Sequence, residues 1–343
     1  MINREKVGEF MTTLYLIRHA EAEGNVFRRL QGQYDSLITP NGRKQIAALE
    51  QRFANIPIDA VYSSDLARTC ITAGAIYKPK KLPLNKDRRL REISVGIWEN
   101  HPFGWLDHSD PERNYAFSHS PRTWSVEGSE TFDIYVGRFL VALREIAEKH
   151  DGQTVALFSH GMVLRGSLQT LFYPGQDNAI QHCENTAVTC VHYDNGEFSL
   201  EFLNDASHIT EDISTLGKQM WWRGGKNRDF NMWYRDPEEA DAPLLSHFPE
   251  LKGKVRISML NEDATGVLAV EDGVLSYFGL LPEFRGRGLA AQLLGEAIAV
   301  ARATGFRELH IGQEPEHPAA LHVLEQYGFL GRPRSLYIFP VID

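Results

Sequence analysis

Two short β-rich runs constrain this chain more than any other feature. Thr13–Ile17 (TLYLI) leads directly into Arg18-His19, and Thr154–Phe158 (TVALF) leads into Ser159-His160-Gly161. Between them lie stretches with apolar residues at helical spacing: Asn41–Phe53, Asp65–Ile76 and Glu130–Lys149. Strands alternating with helices are the pattern of a parallel α/β sheet. In such sheets ligand sites gather at the carboxyl ends of the strands, and both histidines stand at such an end. Gly161–Leu171 reads as a further helix, and Ala187–His192 and Phe198–Leu203 as strands.

After about His208 the character changes. Residues 211–254 are rich in Trp, Gly, Pro and charge, with little periodicity, which suits a connector or irregular lead-in. Strand signals return at Val255–Met259, Gly266–Val270 and Val274–Leu280, followed by a helix over Leu289–Thr304, a strand at Glu308–Ile311 and a helix to about Gln326. A chain of 343 residues at about 150 per domain makes roughly two domains. With 43% hydrophobic and 24% charged residues, wholesale disorder, a collagen-like fibre and a coiled coil are excluded. A net charge of -9 argues against broad nucleic-acid binding, which needs a basic face. Cys70, Cys183 and Cys190 show no C-x-x-C spacing, so the expected compartment is the reducing cytoplasm. No apolar run reaches the ~18 residues of a membrane span, and MINREKVGEF lacks the apolar core of a signal peptide. MTTLYLIRHAE makes Met11 a natural start, with residues 1–10 expected to be an extension.

Arg18, His19, Arg68 and His160 are residue types suited to surrounding a phosphoryl group. Arginine gives planar, charge-assisted hydrogen bonds to phosphate oxygens. A neutral histidine nitrogen can attack phosphorus, and a cationic one can stabilise the equatorial oxygens. No clustered metal-ligand spacing is seen, so no metal is expected.

LIRHAEAEGN (16–25) resembles the opening motif of the histidine phosphatase superfamily, in its phosphoglycerate-mutase-like branch. QGQYDSLITPNGRKQ (31–45), YSSDLARTCITA (62–73), LREISVGIWE (90–99) and SHGMVLR (159–165) fit the same family in the same order. ENTAVT (184–189) and Asn204…His208 also look familial. Ala20 stands where the family often has glycine. The resemblance covers about residues 12–210 and implies a three-layer α/β/α domain, taken as residues 1–210. It implies that His19 is the nucleophile and that Arg18, Arg68 and His160 hold the phosphoryl oxygens, with Asn25 as a helper. Glu92 would be the acid that protonates the leaving alkoxide and then activates water. Mutases of this family carry a basic, histidine-containing segment after the acid; Ile93–Glu99 is closer to the metabolite phosphatases. Hydrolysis of a small-molecule phosphate ester is therefore expected, with a phosphomutase carrying an accessory domain as the alternative. Residues 97–131 read as a long, aromatic, loop-like insertion that caps the pocket. Trp105, Tyr115, Phe117 and Trp124 are either substrate-stacking groups or lid packing.

A second constellation follows Val274–Leu281. Arg285, Gly286, Arg287, Gly288, Leu289 and Ala290 form a glycine-rich turn ahead of a helix with apolar positions at Leu293, Leu294, Ala297, Ile298 and Ala301. Such a turn exposes backbone N–H groups beside a positive helix end, a cradle for pyrophosphate. The G-x-G-x-x-G and G-K-[ST] patterns are absent. Arg285, Gly288 and Ala290 match the R-x-x-G-x-A pattern of the GNAT acyltransferases, and HPAALHVLEQYGFL (317–330) is similar to that family's closing helix. The resemblance implies a GNAT-like α+β domain over residues 251–343, after a connector at 211–250, with acetyl-CoA as cofactor and an amine as acyl acceptor. Leu324 stands where many members place a tyrosine that protonates the leaving thiolate; Tyr327 is three residues on. Glu314, Glu316 and His317 are candidate bases, and Trp221–Lys226 either touches a CoA phosphate or RNA, or packs between domains. A CoA-sensing domain without turnover is the alternative.

Overall fold

The computed structural model describes residues 11–176, 178–219, 231–315, 317–331 and 333–340. Residues 1–10, Trp221–Lys226 and Glu316 lie outside the described residues. The amino-terminal part runs β1 (Thr12–Arg18), α1 (Glu23–Val26), α2 (Pro40–Phe53), β2 (Ala60–Ser63), α3 (Ala67–Lys80), β3 (Leu84–Lys86), α4 (Phe103–Ser109), α5 (Pro111–His119), α6 (Phe132–Lys149), β4 (Thr154–Ser159), α7 (Gly161–Phe172), β5 (Val188–Asp194), β6 (Glu197–Asp205) and α8 (Thr215–Lys218). The remainder runs β7 (Trp233–Arg235), α9 (Ala242–Leu245), β8 (Lys254–Leu260), β9 (Asp263–Glu271), β10 (Val274–Leu280), α10 (Ala290–Ala303), β11 (Glu308–Ile311), α11 (Pro318–Gln326) and β12 (Ser335–Tyr337).

The first sheet has the order β3-β2-β4-β1-β5-β6. Successive residues of β1 point to opposite faces. Leu14 and Leu16 pack with Phe139, Leu143, Leu157 and Val163 beneath α6 and α7. Ile17 packs with Leu49, Phe53, Ala73 and Ile76 beneath α2 and α3. Two apolar faces demand two helical layers, which gives the three-layer α/β/α arrangement. The sheet is mixed, not wholly parallel: β1, β2, β3 and β4 run parallel, while β5 lies antiparallel to β1 and β6 antiparallel to β5. The short β5–β6 connection makes β6 antiparallel to β5, because a parallel crossover needs a dozen or more residues.

Register sets the site. Arg18 pairs with Ser159, and Ser63 with Phe158, so the carboxyl ends of β1, β2 and β4 finish level. The next residues, His19, Ser64 and His160, are thereby delivered to one place.

The second sheet has the order β12-β11-β10-β9-β8-β7, with α10 packed over Leu268, Val270, Leu275 and Leu309. Two elements differ from the sequence expectation. β7 lies within the stretch read as a connector and pairs antiparallel with β8. Residues 97–131 are not a loop: they contain α4 and α5, entered through a single turn at Gly96–Trp98.

Candidate active site

His19 follows β1, and its amide donates to the Ser159 carbonyl at 3.0 Å. Its ring Nδ1 lies 2.7 Å from the Ala20 carbonyl oxygen. A carbonyl only accepts, so Nδ1 carries the proton and Nε2 holds the lone pair. The side chain is buried. Burial, followed by the charges of Arg68 and Arg18, holds its pKa well below the usual histidine value. The imidazole is therefore neutral at neutral pH, with Nε2 as its basic atom.

His160 has the opposite tautomer. Arg68 Nε donates to His160 Nδ1 at 3.2 Å, so the proton of the neutral ring sits on Nε2, 2.9 Å from Ser64 Oγ. The two rings stand 5.3 Å apart, centroid to centroid. Arg68 is fully buried, donating to the Tyr34 carbonyl at 2.8 Å and the Gly32 carbonyl at 2.7 Å. Arg18 Nη1 donates to the Cys183 carbonyl at 2.5 Å, while its buried Nε has no hydrogen-bond partner among the described residues. A Cβ on Gly161 would lie 3.3 Å from that Nε; glycine keeps the approach open. The pocket thus combines a basic nitrogen, a ring N–H and two guanidinium groups, a composition suited to a phosphoryl group.

Glu92 reaches the same region from the chain after β3. Its carboxylate accepts from Met162 N at 3.0 Å and from Val163 N at 2.9 Å, at the first turn of α7, and from Ile93 N at 3.1 Å. Helix N-termini favour such a group. Burial nevertheless pushes its pKa up, against the Met162 hydrogen bond and the Arg68 charge. Arg138 Nη2 fastens its backbone, donating to the Glu92 carbonyl at 2.8 Å.

Asn25 is not drawn into this cluster by any described hydrogen bond. Its Oδ1 accepts from Ala22 N at 2.9 Å and closes the turn before α1. The aromatics of residues 97–131 divide. Phe117 and Trp124 are buried against Trp98, with ring centroids 6.1 and 5.3 Å from it, so they are core packing. Tyr115 is exposed and stacks on His119, and Trp105 stacks on His101.

Several site-shaping groups escape a sequence reading. Asn185 Nδ2 holds the His19 carbonyl at 2.9 Å; ENTAVT was the only local signal for it. His182 has its pKa lowered to about 4, by burial and then by Arg165 and Arg18. The second domain supplies others. Arg302 on α10 forms a bidentate pair with Glu23, at 2.8 and 3.1 Å, and donates to Tyr34 Oη at 3.2 Å. Arg29 pairs with Glu296 at 2.6 Å. Gly295 allows α10 to meet Phe27, since a Cβ there would lie 2.4 Å from Phe27 Cβ. Trp233 of β7 stacks on His108 of α4 at 3.9 Å.

The glycine turn stands ahead of α10 as expected. Gly286 and Gly288 have φ of 74° and 76°, in the left-handed region that favours glycine. A Cβ at either would meet nothing within 4 Å, so the backbone face is open. Arg285 Nε turns inward to the Leu280 carbonyl at 3.0 Å, and Arg287 lies over the Phe284 ring at 5.2 Å. Leu324 is fully buried core. Tyr327 packs its ring on Phe27 at 5.2 Å, with its pKa pushed up to about 12 by burial. Glu314 is paired to Arg334 at 2.9 Å, and His317 Nδ1 accepts from Ala319 N as a helix cap.

Residues 14–206, more than half of the chain, match the family model for the histidine phosphatase superfamily (branch 1), and residues 208–329 match the acetyltransferase (GNAT) family. Phosphoserine phosphatase 1 of Hydrogenobacter thermophilus is 29% identical over 202 residues, covering 59% of this chain and 96% of the relative. A probable phosphoglycerate mutase GpmB of Proteus mirabilis is 29% identical over 207 residues, with the same 59% and 96% coverage. The solved structure of Bacillus stearothermophilus YhfR aligns with a TM-score of 0.56 at 33% identity, over 58% of this chain and 100% of that one.

Proposed function

Because this chain belongs to the histidine phosphatase superfamily (branch 1) and carries a GNAT family domain behind it, we propose that it hydrolyses phosphate monoesters through a phosphohistidine at His19. One observation carries this reading: the His19 proton is committed to the Ala20 carbonyl, which leaves a neutral Nε2 among Arg18, Arg68 and His160. In the first step Nε2 forms a bond to phosphorus as the ester P–O bond breaks. Glu92, protonated, gives its proton to the departing alkoxide. In the second step water attacks the phosphohistidine, the Glu92 carboxylate takes a proton from it, and inorganic phosphate leaves with the N–P bond broken. The arginines hold the charged oxygens throughout, with the His160 ring beside them, so this scheme routes no step through a metal. The acid-activated hydrolysis is supported further by the absence of any basic residue in Ile93–Glu99. The relative named as a mutase supports a second reading, phosphoryl migration within one substrate. Product analysis on a phosphorylated hydroxy acid separates them: free phosphate is expected, and an isomerised ester without phosphate release would replace hydrolysis by mutase action.

The loop 23–34 couples the two domains. Glu23 and Arg302 are both nearly buried, their side chains 8% and 9% exposed, and the same loop presents the carbonyls of Gly32 and Tyr34 to Arg68. Arg302 is thus a positioning residue. Removing it leaves a buried carboxylate unpaired, at a cost of about 3–5 kcal/mol. Arg302→Met is expected to raise KM for a phosphate ester about tenfold with a smaller change in kcat, and Arg302→Lys to restore part of it. An unchanged KM in a folded Arg302→Met protein would show the loop to be positioned without it.

For the second domain, the backbone from Arg285 to Ala290 would hold the pyrophosphate of acetyl-CoA, and the open glycine turn fits that group. The bound thioester supplies the acyl group for transfer to an amine. With Leu324 in the core and Tyr327 against Phe27, no tyrosine hydroxyl is placed on α11 to protonate the thiolate. Binding is tested by melting. Acetyl-CoA at a hundredfold over its Kd adds about 2.7 kcal/mol to the native state, so the melting temperature should rise by several degrees. Gly288→Val, strained at positive φ, should lose that rise; no shift in the unaltered protein at millimolar acetyl-CoA would end the cofactor assignment.

A further inference from the structure

We propose that Cys190, His192 and Glu201 form a binding site for a thiophilic divalent cation of the zinc class, sharing no residue with the phosphoryl pocket. A sulfur, a ring nitrogen and a carboxylate oxygen from these residues all lie within 4.8 Å of one another. The sequence shows no metal-ligand spacing because one ligand comes from a different strand. Cys190 and His192 are two apart on β5 and so share a face. Glu201 arrives from β6, where pairing passes from Cys190↔Phe202 to Val191↔Leu200. Glu201 is the extra residue of a β-bulge, a device that re-aims a side chain.

The internal contacts show how the ligands are set. His192 Nε2 and Cys190 Sγ lie 2.8 and 3.1 Å from the same atom, Glu201 Oε2. His192 Nδ1 lies 3.2 Å from Thr13 Oγ1 on β1. That outer partner fixes the ring so that Nε2 faces the other two ligands, as the partners of metal-bound histidines commonly do. A thiolate, an imidazole and a carboxylate suit zinc or cobalt and give tetrahedral coordination with one position left for water. The Glu201 side chain is 52% exposed, so the cluster is reached from solvent on that side. Arg52 is the cation facing the cluster, and it is already paired to Asp205 at 2.6 Å. On binding, the Cys190 S–H ionises, its proton passes to solvent, and the sulfur electron pair goes to the cation; nothing is oxidised or reduced. A cysteine binds a cation as the thiolate, so loading the site releases the thiol's proton. Bound cation would tie β5 to β6.

The test is a cobalt(II) titration of the full chain after stripping with chelator. A thiolate-to-cobalt charge-transfer absorption is expected, saturating at one equivalent, with proton release in step. Cys190→Ser should remove the band, and Cys183→Ser should keep it. Glu201→Ala, a change at a solvent-facing side chain, should weaken binding at least about tenfold while hydrolysis of p-nitrophenyl phosphate stays unchanged, which reports an intact fold. Absence of the band in folded protein at excess cobalt, or its survival in Cys190→Ser, overturns the site.

Discussion

His19→Ala is expected to abolish phosphate release from both aryl and alkyl phosphates. The fall should be on the order of 10⁴–10⁶-fold, the range seen when a covalent nucleophile is removed. The cationic pocket survives the change, since the ties of Arg68 to Tyr34 and Gly32 and of Arg18 to Cys183 do not pass through the imidazole. Substrate should therefore still bind, and the loss should appear in kcat. Radiolabelled phosphate transferred to the unaltered protein should be acid-labile, as an N–P bond is, and should not appear on the variant. Retention of more than a few per cent of the rate by a folded His19→Ala protein would remove the phosphohistidine from the mechanism. It would also favour a domain whose pocket binds without turnover. The only described side-chain hydrogen bond lost is that to Ala20, so the variant should fold.

Glu92→Gln should separate substrates by leaving group. An alkoxide departs poorly without a proton, so the variant should lose about 10²–10⁴-fold on alkyl phosphates. A p-nitrophenolate leaves readily, so its release in the first turnover should fall little, whereas steady turnover of either ester also carries the Glu92-assisted attack of water. The pH profile carries the same information. Glu92 must be protonated for the first step, and its pKa is raised by burial. Rates on alkyl esters should therefore decline as pH rises through that raised value, and the decline should vanish in Glu92→Gln. On the acid side His19 must be neutral, and its lowered pKa keeps it so until the pH falls well below the ordinary histidine range. The optimum for alkyl esters is thus expected between the lowered His19 value and the raised Glu92 value. Equal losses in first-turnover release of aryl and alkyl alcohols would show that Glu92 serves α7 rather than the leaving group. The structural cost is measurable separately: a glutamine carbonyl can replace part of the acceptor set that holds Met162 N and Val163 N, and leaving one such N–H unpaired costs about 1–3 kcal/mol.

The strands, the long helices and the meeting of His19, Arg68 and His160 were legible because strand ends and helix starts are written locally. TLYLI and TVALF are each followed by a histidine two residues on, and α2, α3, α6 and α10 carry apolar residues at helical spacing. Residues 97–131 were less legible: α4 and α5 have only 7 and 9 residues, and short helices draw their stability from tertiary packing more than from their own pattern. β7, with 3 residues, exists through its pairing with β8.

By itself the amino-acid sequence determined which residues stand at strand ends, where the glycine turn precedes its helix, and the two families involved. Tertiary structure alone decided which histidine nitrogen is basic, that Glu92 caps α7, that Arg302 reaches across to Glu23 and Tyr34, and that a bulge brings Glu201 to Cys190 and His192. Periodicity repeats over a few residues and can be read along a chain. Register, bulges and the approach of one domain to another depend on pairings between distant segments, and no local pattern encodes them.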